Sequence, residues 1–482
     1  MEYDTIVVGA GISGLLSALT LSKHGKKVLI LEKDSIVGGQ CNSYMVEGFQ
    51  VDTGPHAITH LEVGPLKRLM DNYFDYVPVF ENYGTYYSRT ENDFRPVPSN
   101  LKEFIRFEPI PKKDRLIIAQ GITKALTLST FGINLSQQSV KSTLPENLSK
   151  TTKDFVNAIC YFLSGKSMEY TSVHRILTGS AFVRDSITQE QFEANIGKIE
   201  GKQADTILQS VIPSKLHKPL SNKMSTFSVP LTSLGRLATN QSSSSQGYPR
   251  QGLKALLNSI LQSLPNSVEI ITNTEVKSFI TEGKKVVGVK TDNEVYEAKT
   301  VIYTGFAKKL PTLYSKFPVS YIDKVNNIEQ SKSLTIWLGL DSILDEFSYI
   351  GSEIWFKDFP YWAMPISNYD SSLAPKGKQL IGFAFIIDKN KDENEEIEKA
   401  YSTIFSAVPA VKNHIEMKHE QISVPEKGAV TINGTFADIR TPLENLYVAG
   451  TDADNRSMGI TRAAYSVIEL LKIAKEDGIL NN

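Results

Sequence analysis

The stretch YDTIVVGAGISGLLSA occupies residues 3–18 and combines a short apolar run with three glycines. Residues 5–8 are apolar or β-branched, as a buried parallel strand requires. Gly9, Gly11 and Gly14 follow that strand in the spacing G-x-G-x-x-G. The first glycine permits a tight turn, the second lets a pyrophosphate approach the backbone, and the third lets a helix pack on the strand. The stretch therefore predicts a nucleotide-binding βα unit.

The residues after the glycines extend this prediction to a ribose. Ile12 and Ser13 would open the helix, whose free N–H groups and positive dipole end face the phosphates. Residues 28–31 form a second apolar strand that ends at Glu32, and Lys33 follows. A carboxylate roughly 20 residues beyond the glycines accepts hydrogen bonds from a ribose 2′-hydroxyl and repels a 2′-phosphate. We therefore expect Glu32 and Lys33 at the ribose.

The uncharged run of residues 5–22 has an alternative interpretation as a signal peptide or a membrane helix. Glu2 and Asp4 precede it where a signal peptide would carry basic residues, and glycines interrupt its apolar core. Both features favour nucleotide binding.

Composition narrows the classes of function. The chain has 482 residues, of which 41% are hydrophobic and 22% charged, and its net charge of −1 offers no general attraction to nucleic acid. Cys41 and Cys160 are too few for a disulfide framework, which is typical of a reducing cytoplasm. We expect a cytoplasmic protein without a nucleic-acid partner, and any membrane contact would be peripheral.

A pair of adjacent glycines follows the glycine loop and indicates a family resemblance. Gly38 and Gly39 suit a backbone that passes close to a ligand, and EGFQVDTGPHAIT follows at residues 47–59. Together with the glycine loop and Glu32, these segments resemble the N-terminal region of the phytoene (carotenoid) desaturase-like FAD-dependent oxidoreductases, which are related to the flavin amine oxidases. The resemblance implies FAD as the cofactor. Members of that family usually carry arginine after the glycine pair, whereas this chain has Gln40.

Two later segments match the same family. Residues 248–252, YPRQG, keep most of its aromatic-proline pattern ahead of a helix, and residues 445–450, NLYVAG, match its last sheet strand. The resemblance implies that an acidic residue just beyond that strand binds the ribityl chain; Asp452 is the first candidate and Asp454 the second. It also places the backbone of Val276 against the adenine. The remaining expected cofactor-binding residues are Gly450 and the start of the last helix, Met458, Gly459 and Ile460, near the flavin.

These matches predict an α/β fold: a Rossmann-like FAD-binding domain with a doubly wound parallel sheet, interleaved with an α+β substrate domain. The FAD-binding domain would comprise residues 1–75, 222–305 and 426–482. The substrate domain would comprise residues 76–221 and 306–425.

The family implies hydride transfer between a substrate carbon and flavin N5. His56 and Arg250 are the candidate catalytic residues, and Arg462 is a third. The acidic run at residues 392–398 is typical of the first turn of a helix, and we predict no metal site.

The substrate class remains a choice between hypotheses. Ile118, Ile122 and Ala125 share a face of a predicted helix, which would line a substrate cavity or, alternatively, dip into lipid. The first hypothesis is a polyisoprenoid or carotenoid-type desaturase, isomerase or saturase acting on a hydrophobic small molecule. The alternatives are an amine oxidase or protoporphyrinogen-oxidase-like flavoenzyme, and a non-enzymatic prenyl-binding chaperone with a flavin fold. Quinone, oxygen and other electron acceptors all remain open.

Overall fold

The strand predicted at the start of the chain forms in the structure, a computed structural model that describes residues 3–54, 57–62, 64–98, 101–130, 135–179, 246–425 and 427–480. His56 lies outside the described residues, so its predicted role has no structural counterpart here.

The first sheet has a parallel core with an antiparallel extension. Its strands, numbered in chain order, are β1 Tyr3–Val8, β2 Val28–Leu31, β10 Val268–Ile271, β11 Ser278–Glu282, β12 Lys285–Lys290, β13 Val295–Tyr303 and β19 Leu446–Val448. The order is β10-β2-β1-β13-β12-β11, and β19 also pairs with β13. Strands β10, β2, β1, β13 and β19 run parallel, whereas β11, β12 and the first half of β13 form an antiparallel meander.

Strand β13 corrects one expectation from the sequence. Residues 295–298 and 300–305 predict two short strands, but one strand runs from Val295 to Tyr303. Its first half pairs with β12 and its second half with β1 and β19, so the chain stays extended while its partners change.

Both faces of the parallel core are covered, which explains its apolar strands. One face packs against α1 Ile12–Lys23, α2 Pro65–Tyr73, α7 Leu253–Ser263 and α11 Gly459–Glu476. The other packs against β11, β12, α8 Leu310–Leu313 and α9 Val319–Asn326. Adjacent residues in β1 take opposite sides: Val7 joins the first cluster and Ile6 the second. The observed architecture confirms the predicted α/β fold class.

The second sheet forms a separate layer. Its strands are β7 Thr85–Arg89, β8 Phe94–Pro96, β14 Lys332–Leu340, β15 Gly351–Trp355, β16 Tyr361–Met364, β17 Gln379–Ile387 and β18 Ile415–Ser423. Their order is β18-β14-β17-β16-β15-β7-β8, and only β7 and β15 pair in parallel. Helix α10, Glu393–Ala407, packs on this sheet through Ala400 and Ile404. Asp392 caps it by accepting hydrogen bonds from the amides of residues 394 and 395, so the acidic run opens a helix as predicted.

Five short strands lie outside the two large sheets, and four further α-helices belong to the described residues. The strands are β3 Ser43–Val46, β4 Phe49–Asp52, β5 Ile58–Thr59, β6 Phe80–Asn82 and β9 Gln246–Pro249; the helices are α3 Leu101–Ile105, α4 Lys112–Thr130, α5 Lys150–Ser164 and α6 Val173–Gly179. Strand β9 pairs with β5 and β6 in a separate three-stranded sheet, which joins residues 246–249 to residues 58–59 and 80–82. Within the described ranges, no helix has both the length and the apolar character needed to cross a membrane.

Candidate functional site

One cavity of about 1620 Å³ extends from the glycine loop between the two sheets. One end is bounded by the carboxyl ends of β1, β2, β13 and β19, where ligands bind in open parallel sheets. The other end, which we call the apolar arm, is bounded by α4, α5 and the second sheet. The volume exceeds the roughly 300–1,000 Å³ of ordinary small-molecule sites. The cavity therefore offers room for a dinucleotide together with a second ligand.

The glycine loop has the conformation that the spacing predicts. Gly9 has φ +103°, in the region that favours glycine. A Cβ on Gly14 would lie 2.0 Å from the Gly9 carbonyl oxygen, so only glycine lets α1 pack this close to β1. A Cβ on Gly11 would meet no protein atom within 4 Å, because Gly11 borders the open cavity. The cradle therefore accepts a ligand directly against the backbone.

The N-terminus of α1 faces this space. The hydrogen bond from the Leu15 amide to the Gly11 carbonyl begins the helix, and Gly11 provides no side-chain cap. The preceding amides of the first turn have no intrahelical acceptors, and Ile12 and Ser13 line the cavity. This donor set suits a phosphate.

The structure brings the two glycine segments side by side. The Gly38 amide donates to the Ala10 carbonyl at 2.8 Å, and Gly38 forms a parallel bridge with Gly11. A Cβ on Gly39 would come within 3.3 Å of the Gly11 Cα. Gly39 and Gln40 line the cavity, and Gly38 holds this segment against the glycine loop.

Glu32 lies at the next corner of the cavity, where β2 ends. Its carboxylate accepts hydrogen bonds from the Ala10 amide at 2.6 Å and from the Asp34 amide at 3.0 Å. The carboxylate is thus held in place, at 8% exposure. Lys33 is exposed and pairs with Asp34 at 2.9 Å.

Val276 belongs to the same end of the cavity. The Thr274 amide donates to the Glu32 carbonyl at 2.8 Å, which brings the segment before β11 against this corner. Val276 is 6% exposed and lines the cavity. The structure therefore places Glu32, Lys33 and Val276 together, although they are far apart in sequence.

The last helix contributes the opposite wall. Met458 is the N-cap of α11 without a side-chain capping bond, and Met458, Gly459 and Ile460 line the cavity. Gly450 has φ +132° at the end of β19, and its amide donates to Ser466 Oγ at 2.8 Å. A second helix N-terminus thus meets the cavity.

The acidic residues beyond β19 are arranged differently from the expectation. Asp452 is 1% exposed, its Oδ2 accepts from the Ala307 amide at 2.6 Å, and it is not among the described residues that line the cavity. Asp454 pairs with Arg456 at 2.5 Å. Thr451 lines the cavity instead, and its buried Oγ1 has no hydrogen-bond partner in the described structure. Thr451 was missed, although its position directly after the strand-ending glycine could have identified it.

The candidate catalytic arginines are not among the described residues that line the cavity. Arg250 is exposed and pairs with Glu81, and it is not among the described lining residues. Arg462 is 1% exposed and donates to the carbonyl oxygens of Ser457, at 2.7 Å, and Gly428. Arg462 therefore fixes two loops beside the cavity. A catalytic role for Arg250 or for His56 stays a prediction.

Helices α4 and α5 form most of the apolar arm, and the sequence predicts their bounds only approximately. The sequence indicates a possible helix within the sparsely charged residues 115–141. The observed helix α4 spans Lys112–Thr130, and its Ile118, Ile122 and Ala125 line the cavity. Helix α5 adds Phe155, Ile159 and Phe162, while Trp362 closes the arm from the second sheet, 5.9 Å from the Phe162 ring. The apolar face of α4 thus points into the protein, as the cavity-lining interpretation expects.

Comparisons with known proteins agree with this geometry. A protein in the nifH2 3′ region of Methanothermococcus thermolithotrophicus is 52% identical over 100 residues, 21% of this chain and 96% of that protein. The all-trans-retinol 13,14-reductase of Rattus norvegicus is 30% identical over 154 residues, 28% of this chain but 25% of that enzyme. The chloroplastic prolycopene isomerase of Daucus carota is 51% identical over 53 residues, 11% of this chain and 9% of that enzyme.

Solved structures share the fold along the whole chain. An oxidoreductase from Methanosarcina mazei has a TM-score of 0.68 at 19% identity, covering 98% of this chain and 100% of that one. RAB GDI from Plasmodium falciparum has a TM-score of 0.53 at 16% identity, covering 100% and 99%. Likeness at this level of identity shows the fold alone and does not assign an activity.

The family itself follows from the sequence match. The model of the flavin containing amine oxidoreductase family matches residues 12–455, which include the first turn of α1, most of the described cavity lining and β19. FAD is the cofactor of this family, and the glycine cradle, the helix N-termini and the Glu32 corner form a site that fits it. The chain therefore belongs to the flavin containing amine oxidoreductases.

Proposed function

We propose that this protein is an FAD-dependent oxidoreductase acting on a neutral, apolar polyisoprenoid of the carotenoid or retinoid type, as a desaturase, isomerase or saturase. The observation that carries the substrate class is the apolar arm, which is continuous with the cofactor end of the cavity. Its length and its aromatic lining suit a long, flat hydrocarbon chain.

The charge distribution of the arm favours this class over an amine. An ammonium substrate in an apolar cavity requires a carboxylate or a similar partner, because burying an unpaired charge is costly. The described residues of α4, α5 and α6 that line the arm include no aspartate or glutamate. Two relatives are named for retinol and prolycopene, both isoprenoid compounds, which supports the same choice.

The chemistry divides between cofactor and protein. Bound FAD supplies hydride acceptance and donation at flavin N5. The apolar arm would orient the hydrocarbon chain and exclude water from the reacting carbon. The N-terminus of α11 would stabilise negative charge through its free amides and dipole end. His56 and Arg250 remain the proposed candidates for positioning or proton handling.

The test is anaerobic reduction of the purified, FAD-loaded protein. We expect a polyene of matched length to change the flavin absorbance or, in the reverse direction, to be reduced by the chemically reduced protein. A polyamine such as putrescine should leave the flavin unchanged. Rapid flavin bleaching by the amine, without any effect of the polyenes, would assign an amine oxidase instead.

A variant pair tests the arm itself. Ile159→Glu introduces a carboxylate into the arm and should abolish polyene turnover while FAD is retained. Ile105→Glu is the matched control, because Ile105 is 41% exposed and outside the described cavity lining. Equal turnover in both variants, at equal thermal stability, would show that the substrate does not occupy the arm.

A further inference from the structure

Lys427 lies at the end of the cavity that contains the glycine loop, although it belongs to none of the sequence motifs described above. Its Nζ donates to the Thr304 carbonyl at 2.9 Å, and its side chain lines the cavity. A Cβ built on Gly450 would lie 3.5 Å from Ser13 Oγ, 3.8 Å from Thr304 O and 4.0 Å from Lys427 Nζ. The ammonium group and the first turn of α1 therefore border the same small region.

The loop that carries Lys427 is fixed rather than free. Arg462 donates to the carbonyl oxygen of Gly428, and the Ala429 amide donates to the Glu329 carbonyl at 2.8 Å. A Cβ on Gly428 would lie 2.6 Å from the Phe436 ring and 3.1 Å from the Thr451 carbonyl oxygen, so this residue packs closely on its surroundings. These contacts fix the backbone next to Lys427 and so keep its ammonium group at this position.

The other lysine and arginine side chains of the described cavity wall are paired, exposed or placed in the apolar arm. In the described part of the chain, Lys33 is paired with Asp34, Lys309 is exposed, and Arg175 lines the apolar arm beside α5. The side chain after the glycine pair, where related proteins carry arginine, is the uncharged Gln40. The Lys427 ammonium group, by contrast, lies 4.0 Å from the Cβ position of Gly450, which is 3.5 Å from Ser13 Oγ in the first turn of α1.

The electrostatic surroundings leave Lys427 suited to an anion. Burial lowers the pKa of Lys427, while the charges of Asp452 and Glu32 act in the opposite direction. The carboxylates of Asp452 and Glu32 are themselves engaged by backbone amides. A pyrophosphate in the cradle would add negative charge next to the ammonium and offset its desolvation.

We propose that Lys427 binds the pyrophosphate of FAD together with the N-terminal amides of α1, in place of the arginine that Gln40 replaces. Lysine serves this purpose as a point charge, without the bidentate geometry that arginine provides. The consequence is a cofactor contact contributed by a loop about 400 residues from the glycine motif. It concerns the cofactor of the family and does not depend on which substrate the arm accepts.

The experiment compares the affinities of two ligands in apo-protein variants. Lys427→Met should raise the dissociation constant for FAD about tenfold to a hundredfold, the effect of losing a charge-assisted hydrogen bond. The affinity for riboflavin, which has no phosphate, should not change. Lys427→Arg keeps the charge and should lose less affinity for FAD than Lys427→Met. Inorganic pyrophosphate should compete with FAD more weakly in Lys427→Met than in the unmodified protein.

The matched control is Lys324→Met, because Lys324 is partly exposed, pairs with Asp438 at 2.7 Å and lies outside the described cavity lining. It should bind FAD like the unmodified protein. Unchanged FAD affinity in Lys427→Met would overturn the proposal. Equal losses for FAD and riboflavin would also overturn it, since they would mean that Lys427 maintains the fold and not the phosphate contact.

Discussion

At the scale of single residues, a buried carboxylate links the hairpin β3–β4 to helix α7. Asp52 accepts hydrogen bonds from Ser43 Oγ and Tyr248 Oη, both at 2.6 Å, and from the Leu253 amide at 3.2 Å. Burial outweighs these bonds and raises the pKa of Asp52 to about 6. Tyr248, the aromatic residue of the YPRQG segment, is therefore a structural residue beneath the cavity.

This raised pKa predicts a pH-dependent stability. The folded state binds a proton more tightly than the unfolded chain, so the contribution of Asp52 is fully present below its unfolded pKa and is lost as pH rises through about 6. The loss amounts to about 3 kcal/mol. Urea unfolding at pH 5 and pH 7 should show a smaller pH effect in Asp52→Asn than in the unmodified protein. The same pH effect in both would exclude Asp52 as its source.

Residues differ in how far the sequence could identify them. Glu32 was predictable because the distance from the glycines to the end of β2 is a property of one compact βα unit. The direction of the Asp452 side chain was harder to predict. Successive side chains after a strand point in alternate directions, and the partner of Asp452, the Ala307 amide, lies far away in sequence. Lys427 carries no local signal, because its neighbours Thr304 and Ser13 come from other parts of the chain.

At the scale of elements, a side chain of α4 helps to fix the N-terminus of α5. Ser149 accepts from the Thr152 amide at 3.3 Å, and Asp114 of α4 accepts from the Ser149 amide at 2.9 Å and the Thr152 hydroxyl at 2.7 Å. These bonds tie the start of α5 to α4, and both helices line the apolar arm.

Ser149→Ala should therefore lower the free energy of unfolding by about 1 kcal/mol, as the loss of an N-cap does. Ser149→Gly is the matched control, because glycine at an N-cap costs only a few tenths of a kcal/mol. Urea midpoints of the two variants check the difference. Identical midpoints would mean that Asp114 alone holds the end of α5.

Elements with strong local signals were predicted well. Capping chemistry predicts a helix over residues 151–163 with Ser149 or Thr151 as its N-cap, and the structure has Lys150–Ser164 with Ser149 as the cap. Aromatic and β-branched residues predict strands at 333–340 and 379–387, which form as β14 and β17. The division of β13 was wrong because the change of partner from β12 to β1 leaves the backbone extended. Such a change is a tertiary property that no short window of sequence contains.

At the scale of the whole molecule, the cofactor site joins separate parts of the chain. Its walls come from β1–α1, from the segment before β11 and from β19–α11. The predicted division into two discontinuous domains stays a prediction. The relation to the flavin amine oxidases and the cofactor FAD could be predicted from the N-terminal region, residues 248–252 and residues 445–450. The shape of the arm, by contrast, depends on how α4 and α5 pack.

Because one ligand contacts all three segments, FAD should stabilise the entire fold. A ligand at 100 times its dissociation constant adds about 2.7 kcal/mol, which corresponds to about 3 °C in Tm for a chain of this size. Thermal unfolding of the apo-protein with and without FAD should show a single transition that moves upward. Riboflavin at the same concentration is the control and should cause a smaller shift. Two transitions, of which FAD moves only one, would show independently stable units.

The cofactor site is complete only after β19 has paired with β13, so this pairing must precede the binding of FAD. Residues 446–460 form the last strand of the parallel core and the wall beside the α1 N-terminus. During translation, domains generally fold as units from the N-terminal side. Here the glycine loop leaves the ribosome hundreds of residues before its opposite wall. A nascent chain therefore presents an incomplete site until residues 446–460 have left the ribosome, and FAD capture follows that step.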